Sequence, residues 1–419
     1  MMKKKILVAH PTGNANTRGA IVGFHQLGIL HSFHTCVACF EGSWLFRLAG
    51  FSPLREFRRR MFEKSLQGIT YTYPFKELMR MVASKTGRKC WIEHETGRFC
   101  VDRIYHDLDG KVARFVDEHH TELDGVYLYE DCATEIVKIA KKHNLKYIYD
   151  LPIGYWRAMR RLLNEERERN PAWAMTLGGF NDSDIKLKRK DAELRNADKI
   201  YVASSFTKET LKDYPGKLAD IEVIPYGFPQ VNESRKYISL EGRKLNVLFV
   251  GGLSQRKGLS YLFEAVNGLE DKINLTVVGQ GDIEGCAALK KALDNVNYIP
   301  SISHVEVLEL MSESDVFVFP SLFEGFGLVI TEAMSQGTPV ITTNRTCGPD
   351  IIHNGVDGWI VEAGTSSPIR KILEDLLANP LRLEIVGKAA MNTAARRPWS
   401  CYEKEIANSV NKYLNGELS

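Results

Sequence analysis

Short apolar runs alternate with helix-like segments along this chain, and the alternation leaves few folds open to it. In the second half the runs read LNVLFVGG, INLTVVGQG, VNYIP, DVFVFPS, PVITTN and GWIVEAG. Each run is bounded by glycine, proline or polar residues, which is typical of buried strands in a parallel sheet with helices on both faces. We therefore expect a doubly wound α/β domain in this half.

The first half shows the same alternation with one interruption. KKILVA, TCVACF, GVYLYE, YIYDLP, KIYVAS and IEVIPYG are predicted strands. Between about Gly42 and Gly110 the pattern is lost, and aromatic and basic residues crowd together. We interpret residues 42–110 as an insertion of helices and loops into an amino-terminal doubly wound domain.

A polar stretch from Pro229 to Lys244 separates the two sets of strands and is predicted to be an interdomain linker. A chain of 419 residues is too long for one ordinary core, so two domains are expected. Sheets of this kind bind ligands at the carboxyl ends of their strands. With two sheets face to face, that position is the cleft between the domains.

Charge and hydropathy exclude some function classes. The 55 Lys and Arg residues nearly balance the 52 Asp and Glu residues, so no global charge favours a nucleic-acid partner. The apolar run after the basic start is cut short by His10 and Pro11, so we expect neither a signal peptide nor a membrane span, and a cytoplasmic protein. The CxxC of Cys36 and Cys39 lacks a correctly spaced second pair for zinc.

The stretch SLFEGFGLVITEAMSQGTPV carries two glutamates, Glu324 and Glu332, with glycines between them. A helix is predicted to start near Gly327, which leaves the N–H groups of Phe326, Gly327 and Leu328 unpaired at the positive end of the helix dipole. Glu332 lies one turn past Leu328 on the same face, where it can reach the same ligand. On spacing alone, a glycine-rich helix start with two solvated glutamates is an equal alternative.

A second glycine turn, FVGGLSQRKG, places Arg256 and Lys257 just before the next predicted helix. Two cations and the free N–H groups of a helix start are the elements of a pyrophosphate site. An ordinary basic helix start is the alternative for this motif by itself. Gly279 and Gly281 in VVGQGD form a third glycine turn, which alone is weak evidence.

Together and in this order, these motifs resemble the retaining glycosyltransferases of family 4, whose fold is called GT-B. The resemblance is close over about Leu245 to Ala363, where GPDIIHNGVDGWIVEAG completes the match, and looser over the first half. It implies an α/β fold of two Rossmann-like domains that face each other across a cleft. Residues 1–235 would bind the acceptor, residues 236–398 the nucleotide sugar, and residues 399–419 would form a helix that crosses back.

The resemblance also implies roles for particular residues. Glu324 would lie beside the donor sugar, Glu332 would accept hydrogen bonds from the ribose hydroxyls, and Lys257 matches the phosphate lysine. The family's phosphate arginine usually stands where this chain has Gly252, so Arg256 is the expected replacement. The implied donor-binding positions are Gly13, Gly252, Gly279, Ile299, Pro300, Gly325, Phe326, Gly327, Leu328 and Glu332.

The first half departs from the family pattern. Its first loop, HPTGNANTRG, lacks the paired glycines often seen, so Gly13 is expected at the close approach to the donor phosphates. Many relatives place a sugar-contacting histidine after a middle strand, where this chain has YDLPIGYW. Asp150 is then a candidate for orienting the sugar or the attacking hydroxyl, with capping of the next helix as the alternative. His10 is the next candidate for this role. The resemblance also implies that the backbone around Ile299 and Pro300 contacts the base of the nucleotide.

The segment WLFRLAGFSPLREFRRRMFE places aromatic residues beside Arg55, Arg58, Arg59 and Arg60. Such a segment suits an anionic membrane surface or a lipid diphosphate acceptor. The alternative is an amphipathic helix that packs on the domain with its arginines in solvent.

We thus predict a retaining glycosyltransferase that uses a UDP- or GDP-sugar and a glycan, glycolipid or lipid-linked acceptor in surface polysaccharide or lipopolysaccharide synthesis. No metal or cofactor is expected, because Arg256, Lys257 and helix N–H groups would neutralise the leaving diphosphate. Asp107 and Asp182 are expected to be surface carboxylates. The alternatives are a nucleotide-sugar epimerase of the same fold, which would need acid and base carboxylates, and a non-catalytic partner subunit.

Overall fold

Two parallel sheets form the framework of the protein, in a computed structural model that describes residues 3–42 and 60–417. The strands of the amino-terminal half are β1 (Ile6–Ala9), β2 (Leu30–Thr35), β3 (Cys39–Phe40), β4 (Met61–Phe62), β5 (Thr70–Thr72), β6 (Gly125–Tyr129), β7 (Lys146–Leu151), β8 (Lys199–Val202) and β9 (Ile221–Val223). The strands of the carboxyl-terminal half are β10 (Leu245–Val250), β11 (Ile273–Val278), β12 (Asn297–Ile299), β13 (Val316–Phe319), β14 (Val340–Thr343) and β15 (Trp359–Val361).

Helices cover the sheets. In the amino-terminal half they are α1 (Ala15–Leu27), α2 (Phe75–Lys85), α3 (Val101–His119), α4 (Thr134–Lys142), α5 (Trp156–Arg169), α6 (Asp184–Asn196) and α7 (Ser205–Thr210). The others are α8 (Leu259–Val266), α9 (Ala287–Leu293), α10 (His304–Glu313), α11 (Leu328–Ser335), α12 (Gly348–Ile351), α13 (Ser367–Ala378), α14 (Leu381–Arg396) and α15 (Trp399–Leu414).

Strand order creates a crevice in each sheet. The first sheet runs β5-β2-β1-β6-β7-β8-β9 and the second runs β12-β11-β10-β13-β14-β15, with every neighbouring pair parallel. The chain therefore reverses its direction across the sheet between β1 and β6, and again between β10 and β13. The loops after those strands diverge, which opens a ligand crevice at their carboxyl ends. The loops after β1, β10 and β13 are the glycine-bearing loops identified in the sequence.

Residues 42–110, predicted to be an insertion of helices and loops, also contain strands. Residues 43–59 lie outside the described residues, but β4 pairs with β3, and β5 forms the edge of the amino-terminal sheet beside β2. Helix α3 continues through Gly110 to His119, so the segment does not end there. Short polar strands such as Thr70–Thr72 give too few residues for a periodicity signal, which explains the wrong interpretation.

The last helix crosses back to the first domain. Helix α15 packs along α1, and the Tyr201 hydroxyl lies 2.8 Å from the Ser409 hydroxyl. The Cβ that Gly23 lacks would lie 2.0 Å from the carbonyl oxygen of Glu403. The two helices therefore meet backbone to backbone at Gly23.

The arginine-rich segment is described only at its end. Arg55, Arg58 and Arg59 lie outside the described residues, and the membrane interpretation stays a prediction. The Arg60 guanidinium donates to Glu77 at 2.6 Å, so this arginine is not simply solvated. Among the described residues, no helix combines the length and the apolar character needed to cross a bilayer.

Gly23→Ala should destabilise the amino-terminal domain by roughly 1–3 kcal/mol, because the new methyl group meets backbone that cannot rotate away. Gly110→Ala is the matched control, since it also lies inside a helix but has open space around its Cβ. It should raise stability by about 0.5–1 kcal/mol. Urea denaturation of both variants measures the difference, and equal midpoints would contradict the packing of α15 on α1.

Candidate functional site

A cavity of about 650 Å³ lies between the carboxyl ends of the two sheets. One wall belongs to the amino-terminal domain and the other to the loop after β13 and the start of α11. Its polar lining residues are Thr12, Asn14, Asn16, Arg18, Arg60, Tyr226, Lys257 and Glu324, and its apolar and glycine lining includes Gly13, Pro152, Gly251, Phe319, Phe326, Gly327 and Leu328.

The loop after β13 presents free backbone N–H groups to this cavity, as the sequence predicted. Gly327 is the residue before α11 and has φ of 92°, a conformation that favours glycine. The N–H groups of Phe326, Gly327 and Leu328 donate to no backbone carbonyl in the described part of the chain. They stand at the positive end of α11, so this part of the wall attracts an anion or a hydroxyl oxygen.

Lys257 and Glu324 form an ion pair inside the cavity. The Arg256 Nη1 atom lies 3.6 Å from the same carboxylate and donates to the carbonyl of Phe323 at 2.8 Å. Burial lowers the pKa of Lys257, and the Glu324 charge partly offsets that effect. The two predicted phosphate ligands, Lys257 and Arg256, thus lie around Glu324, the glutamate predicted beside the sugar. The three side chains together carry one net positive charge.

Glu332 has a partner that the sequence did not reveal. Its carboxylate lies 2.9 Å from the Nε2 atom of His304, the first residue of α10. This hydrogen bond raises the pKa of His304. Glu332 itself is not part of the cavity lining, although it lies one turn beyond Leu328 in α11. No sequence signal links position 304 to position 332, because the contact depends on how two helices pack.

The glycine turns after β10 and β11 pack directly against each other. The Cβ that Gly279 lacks would lie 1.8 Å from the carbonyl oxygen of Gly251, and Gly279 has φ of 153°. Gly252 is exposed with open space beside it. The N–H of Gly279 donates to the carbonyl of Ile299 at 3.0 Å, and Pro300 is exposed. Gly279 is therefore required by packing, and its role toward a ligand stays a prediction.

His10 organises the first loop of the amino-terminal wall. Its Nδ1 atom accepts hydrogen bonds from the N–H groups of Gly13 at 2.8 Å and Thr12 at 3.1 Å. Burial and, to a smaller extent, the charge of Arg60 lower the pKa of His10 to about 3. The imidazole is thus a neutral acceptor. The space of a Cβ at Gly13 is filled by the Phe62 ring, 2.3 Å away, so this glycine accommodates a side chain of the protein.

Asp150 lies behind the cavity and does not line it. It ends β7 as expected, but it is only 3% exposed, and the Tyr127 hydroxyl donates to its Oδ2 atom at 2.7 Å. Burial raises its pKa to about 7, against the opposing effect of hydrogen bonds from Tyr127 and Tyr129. The alternative of a helix cap is wrong, because α5 begins six residues later and Tyr155 precedes it. Its place in a tyrosine cluster favours a structural role over sugar contact.

Three lining residues were not predicted as donor contacts. Asn16 and Tyr226 are buried residues that place a polar side chain on the cavity wall. Arg60 adds a cation to the same wall. Tyr226 lies between β9 and the linker, and its ring centroid is 4.7 Å from that of Phe326 with the rings tilted by 49°, a contact across the cleft that only the domain arrangement creates.

One group of metal-ligating side chains occurs in the described part of the chain, away from the cavity. His94, Glu95 and Asp182 bring their ligand atoms within 4.8 Å of one another. Asp182 is paired with Lys186 at 3.1 Å, and Glu95 accepts hydrogen bonds from Ser183. These carboxylates already have partners, so the group functions as a cross-link between the residue 95 loop and α6.

Comparison with known proteins finds glycosyltransferases among the proteins similar to this chain. Residues 230–393 match the family model described as "Glycosyl transferases group 1". The chain is 30% identical over 236 residues to a phosphatidyl-myo-inositol mannosyltransferase of Mycobacterium leprae, covering 55% of this chain and 58% of the relative. It is 28% identical over 236 residues to the capsular polysaccharide biosynthesis glycosyltransferase CapM of Staphylococcus aureus, covering 51% and 60%. The chain spans about half the length of the curated relatives it matches.

The whole architecture also matches solved structures. The Anabaena protein Alr3699/HepE, solved in complex with UDP and glucose, superposes with a TM-score of 0.62 over 98% of this chain and 100% of that chain, at 15% identity. At that identity the likeness establishes the fold, which is GT-B, as the sequence predicted.

The raised pKa of Asp150 predicts a pH-dependent stability. The folded protein keeps a proton there up to about pH 7, whereas the unfolded chain releases it near its ordinary pKa of about 4. Stability should therefore fall as the pH rises through this window, by up to a few kcal/mol at about 1.4 kcal/mol per pKa unit. Asp150→Asn should flatten that fall in urea denaturation at pH 5, 6.5 and 8. Parallel profiles for the two proteins would contradict the burial of this carboxyl group.

Proposed function

We propose that this chain, in which residues 230–393 form a glycosyl transferases group 1 domain of a GT-B protein, transfers a sugar from a nucleotide diphosphate sugar to an acceptor with retention of configuration. One observation carries the proposal. Lys257 and Glu324 line the cleft between the domains beside the free N–H groups at the start of α11, and Arg256 lies 3.6 Å from the same glutamate. Cations beside free amides suit a diphosphate with an attached sugar.

The cluster supports a defined sequence of events. A bound diphosphate competes with Glu324 for Lys257, which releases the glutamate toward the sugar hydroxyls. The bond from the anomeric carbon to the phosphate oxygen breaks, and Lys257 with Arg256 stabilises the charge that develops on the diphosphate. The acceptor oxygen attacks on the same face, and its proton passes to the leaving phosphate oxygen. This route uses neither metal nor cofactor.

The proposed donor and acceptor classes are based on the proteins that this chain resembles. HepE was solved with UDP and glucose, and two relatives are named for a phosphatidylinositol acceptor and for capsular polysaccharide. We propose a UDP- or GDP-sugar as donor and a glycan or lipid-linked acceptor, in surface polysaccharide or glycolipid synthesis. A cytoplasmic location, where nucleotide sugars are made, is part of the proposal.

An epimerase of the same fold fits the cavity less well. Among the described residues that line it, Glu324 is the only carboxylate, and Lys257 is already paired with it. An acid and base pair of carboxylates is therefore lacking on these walls. Incubation of the protein with UDP-glucose or GDP-mannose in the absence of an acceptor separates the two functions, since only an epimerase would interconvert the sugar.

A thermal-shift screen with UDP, GDP and their sugars tests the proposed function directly. Binding to the folded state alone should stabilise it by about 2.7 kcal/mol at 100 times the dissociation constant. One base should be strongly preferred over the other. If no nucleotide shifts the melting temperature, the proposed function fails.

Lys257→Ala and Arg256→Ala should each weaken nucleotide diphosphate binding by roughly 1.5–3 kcal/mol, because each removes a charge-assisted contact. Isothermal titration calorimetry and turnover measure the effect. Glu324→Gln is the informative counterpart. It removes the internal competitor for Lys257, so bare nucleotide affinity should hold or rise while turnover falls. Normal donor affinity and rate in both cation variants would rule out the phosphate assignment.

If the Glu332 carboxylate accepts hydrogen bonds from the ribose hydroxyls, Glu332→Gln should raise the Michaelis constant for the nucleotide sugar. It should weaken binding of the bare nucleotide to a similar degree. His304→Gln is the control, since it removes the present partner of Glu332 and leaves the carboxylate in place. It should bind nucleotide at least as well as the unmodified protein. Unchanged affinity in Glu332→Gln by calorimetry would contradict the ribose role.

A further inference from the structure

The carbonyl group of Gly325 is held by the other domain. The Ser204 hydroxyl donates to its oxygen at 2.6 Å and the Thr207 hydroxyl donates to it at 2.8 Å. Both side chains belong to the amino-terminal domain, at the start of α7, and both are fully buried. A carbonyl oxygen has two lone pairs, so these two hydroxyls saturate it.

The same peptide unit contains the N–H of Phe326. Because a trans peptide is planar, the C=O of residue 325 and the N–H of residue 326 point in opposite directions. Holding the carbonyl toward α7 therefore directs the Phe326 N–H away from α7. That N–H is the first of the three free amides in the loop that carries Glu324.

Neighbouring contacts restrict the same peptide. A Cβ on Gly325 would lie 2.0 Å from the carbonyl oxygen of Pro152, so the two backbones are in direct contact there. The Asp350 carboxylate, at the start of α12, accepts from the backbone N–H of Ser205 at 2.9 Å and also from its hydroxyl. The carbonyl of Phe326 accepts from the N–H of Cys347 at 2.9 Å. The loop is thus fixed on both sides of the peptide.

We infer that Ser204 and Thr207 are positioning residues of the donor-sugar site, which orient the Phe326 N–H by hydrogen-bonding the Gly325 carbonyl across the domain boundary. The inference rests on the proposed function, in which that amide binds a hydroxyl of the donor sugar. It implies that the donor-sugar site is completed by the acceptor-side domain. Without the two hydroxyls the Gly325 carbonyl has no hydrogen-bond donor among the described residues, so the direction of the Phe326 N–H is less restrained.

The test compares nucleotide sugars with bare nucleotides by calorimetry, using UDP-glucose, GDP-mannose, UDP and GDP as probes. Thr207→Val keeps the side-chain shape and removes the hydrogen bond from residue 207 to the Gly325 carbonyl. Affinity for the nucleotide sugar should therefore fall by about three- to tenfold. Ser204→Gly removes the second hydroxyl while a glycine still serves as a helix cap. In the double variant, affinity for the nucleotide sugar should fall at least about tenfold, whereas affinity for the bare nucleotide should fall less than about twofold.

Thr207→Ser restores a hydroxyl and should return the nucleotide-sugar affinity close to that of the unmodified protein. Thr338→Val is the matched control for removal of a buried threonine hydroxyl, because Thr338 is fully buried, donates to the Met311 carbonyl and does not line the cavity. It should leave the ratio of the two affinities unchanged. If the double variant does not fold, the Thr207→Val variant alone decides the result.

Selective loss of nucleotide-sugar affinity with rescue by Thr207→Ser supports the inference. Equal loss for nucleotide sugar and bare nucleotide would overturn it, because the hydroxyls would then act on the whole domain arrangement and not on one amide. Unchanged affinities would overturn it as well. If the unmodified protein binds none of the four probes, the proposed function itself fails and the inference falls with it, which the other outcomes do not imply.

Discussion

The backbone contact at Gly325 is the constraint on which the rest of the cleft depends. The Pro152 carbonyl occupies the place of a side chain at position 325, and Ser204 with Thr207 hydrogen-bonds the peptide that follows. The two domains therefore do not merely face each other, because one supplies the groups that hold the ligand-facing loop of the other. Buried hydrogen bonds of this kind are costly to break one partner at a time, which makes the loop geometry specific.

The two glutamates predicted to contact the donor have partners in the protein before any ligand binds. Glu324 pairs with Lys257, and Glu332 pairs with His304. Under the proposed function, ligand binding would be an exchange of partners, in which diphosphate and ribose replace interactions within the protein. Because buried charges without partners are expensive, such pairs also stabilise the cleft in the absence of a ligand.

Much of the fold was predictable, because strands of a parallel sheet are buried on both faces and leave continuous apolar runs in the sequence. The loop after β13 was predicted with its free amides, and Gly325 and Gly327 are required there for packing and for a positive φ. The edge strand β5 was missed because three polar residues carry no periodicity. Gly13 and Gly279 were predicted as ligand approaches, and in the structure their missing side chains make room for Phe62 and for Gly251.

The sequence by itself determined the two sheets and their glycine turns, because these depend on short spacings along one strand, turn and helix, whereas the meeting of Lys257 with Glu324 depends on how two such units pack. The tertiary structure alone decided that Asp150 is buried against Tyr127, that His304 holds Glu332, and that Ser204 with Thr207 orients the Gly325 peptide. Those contacts join residues far apart in the chain, and hydrogen bonds over such separations leave no periodic trace. Only the packing of one domain on the other brings their donors and acceptors within range.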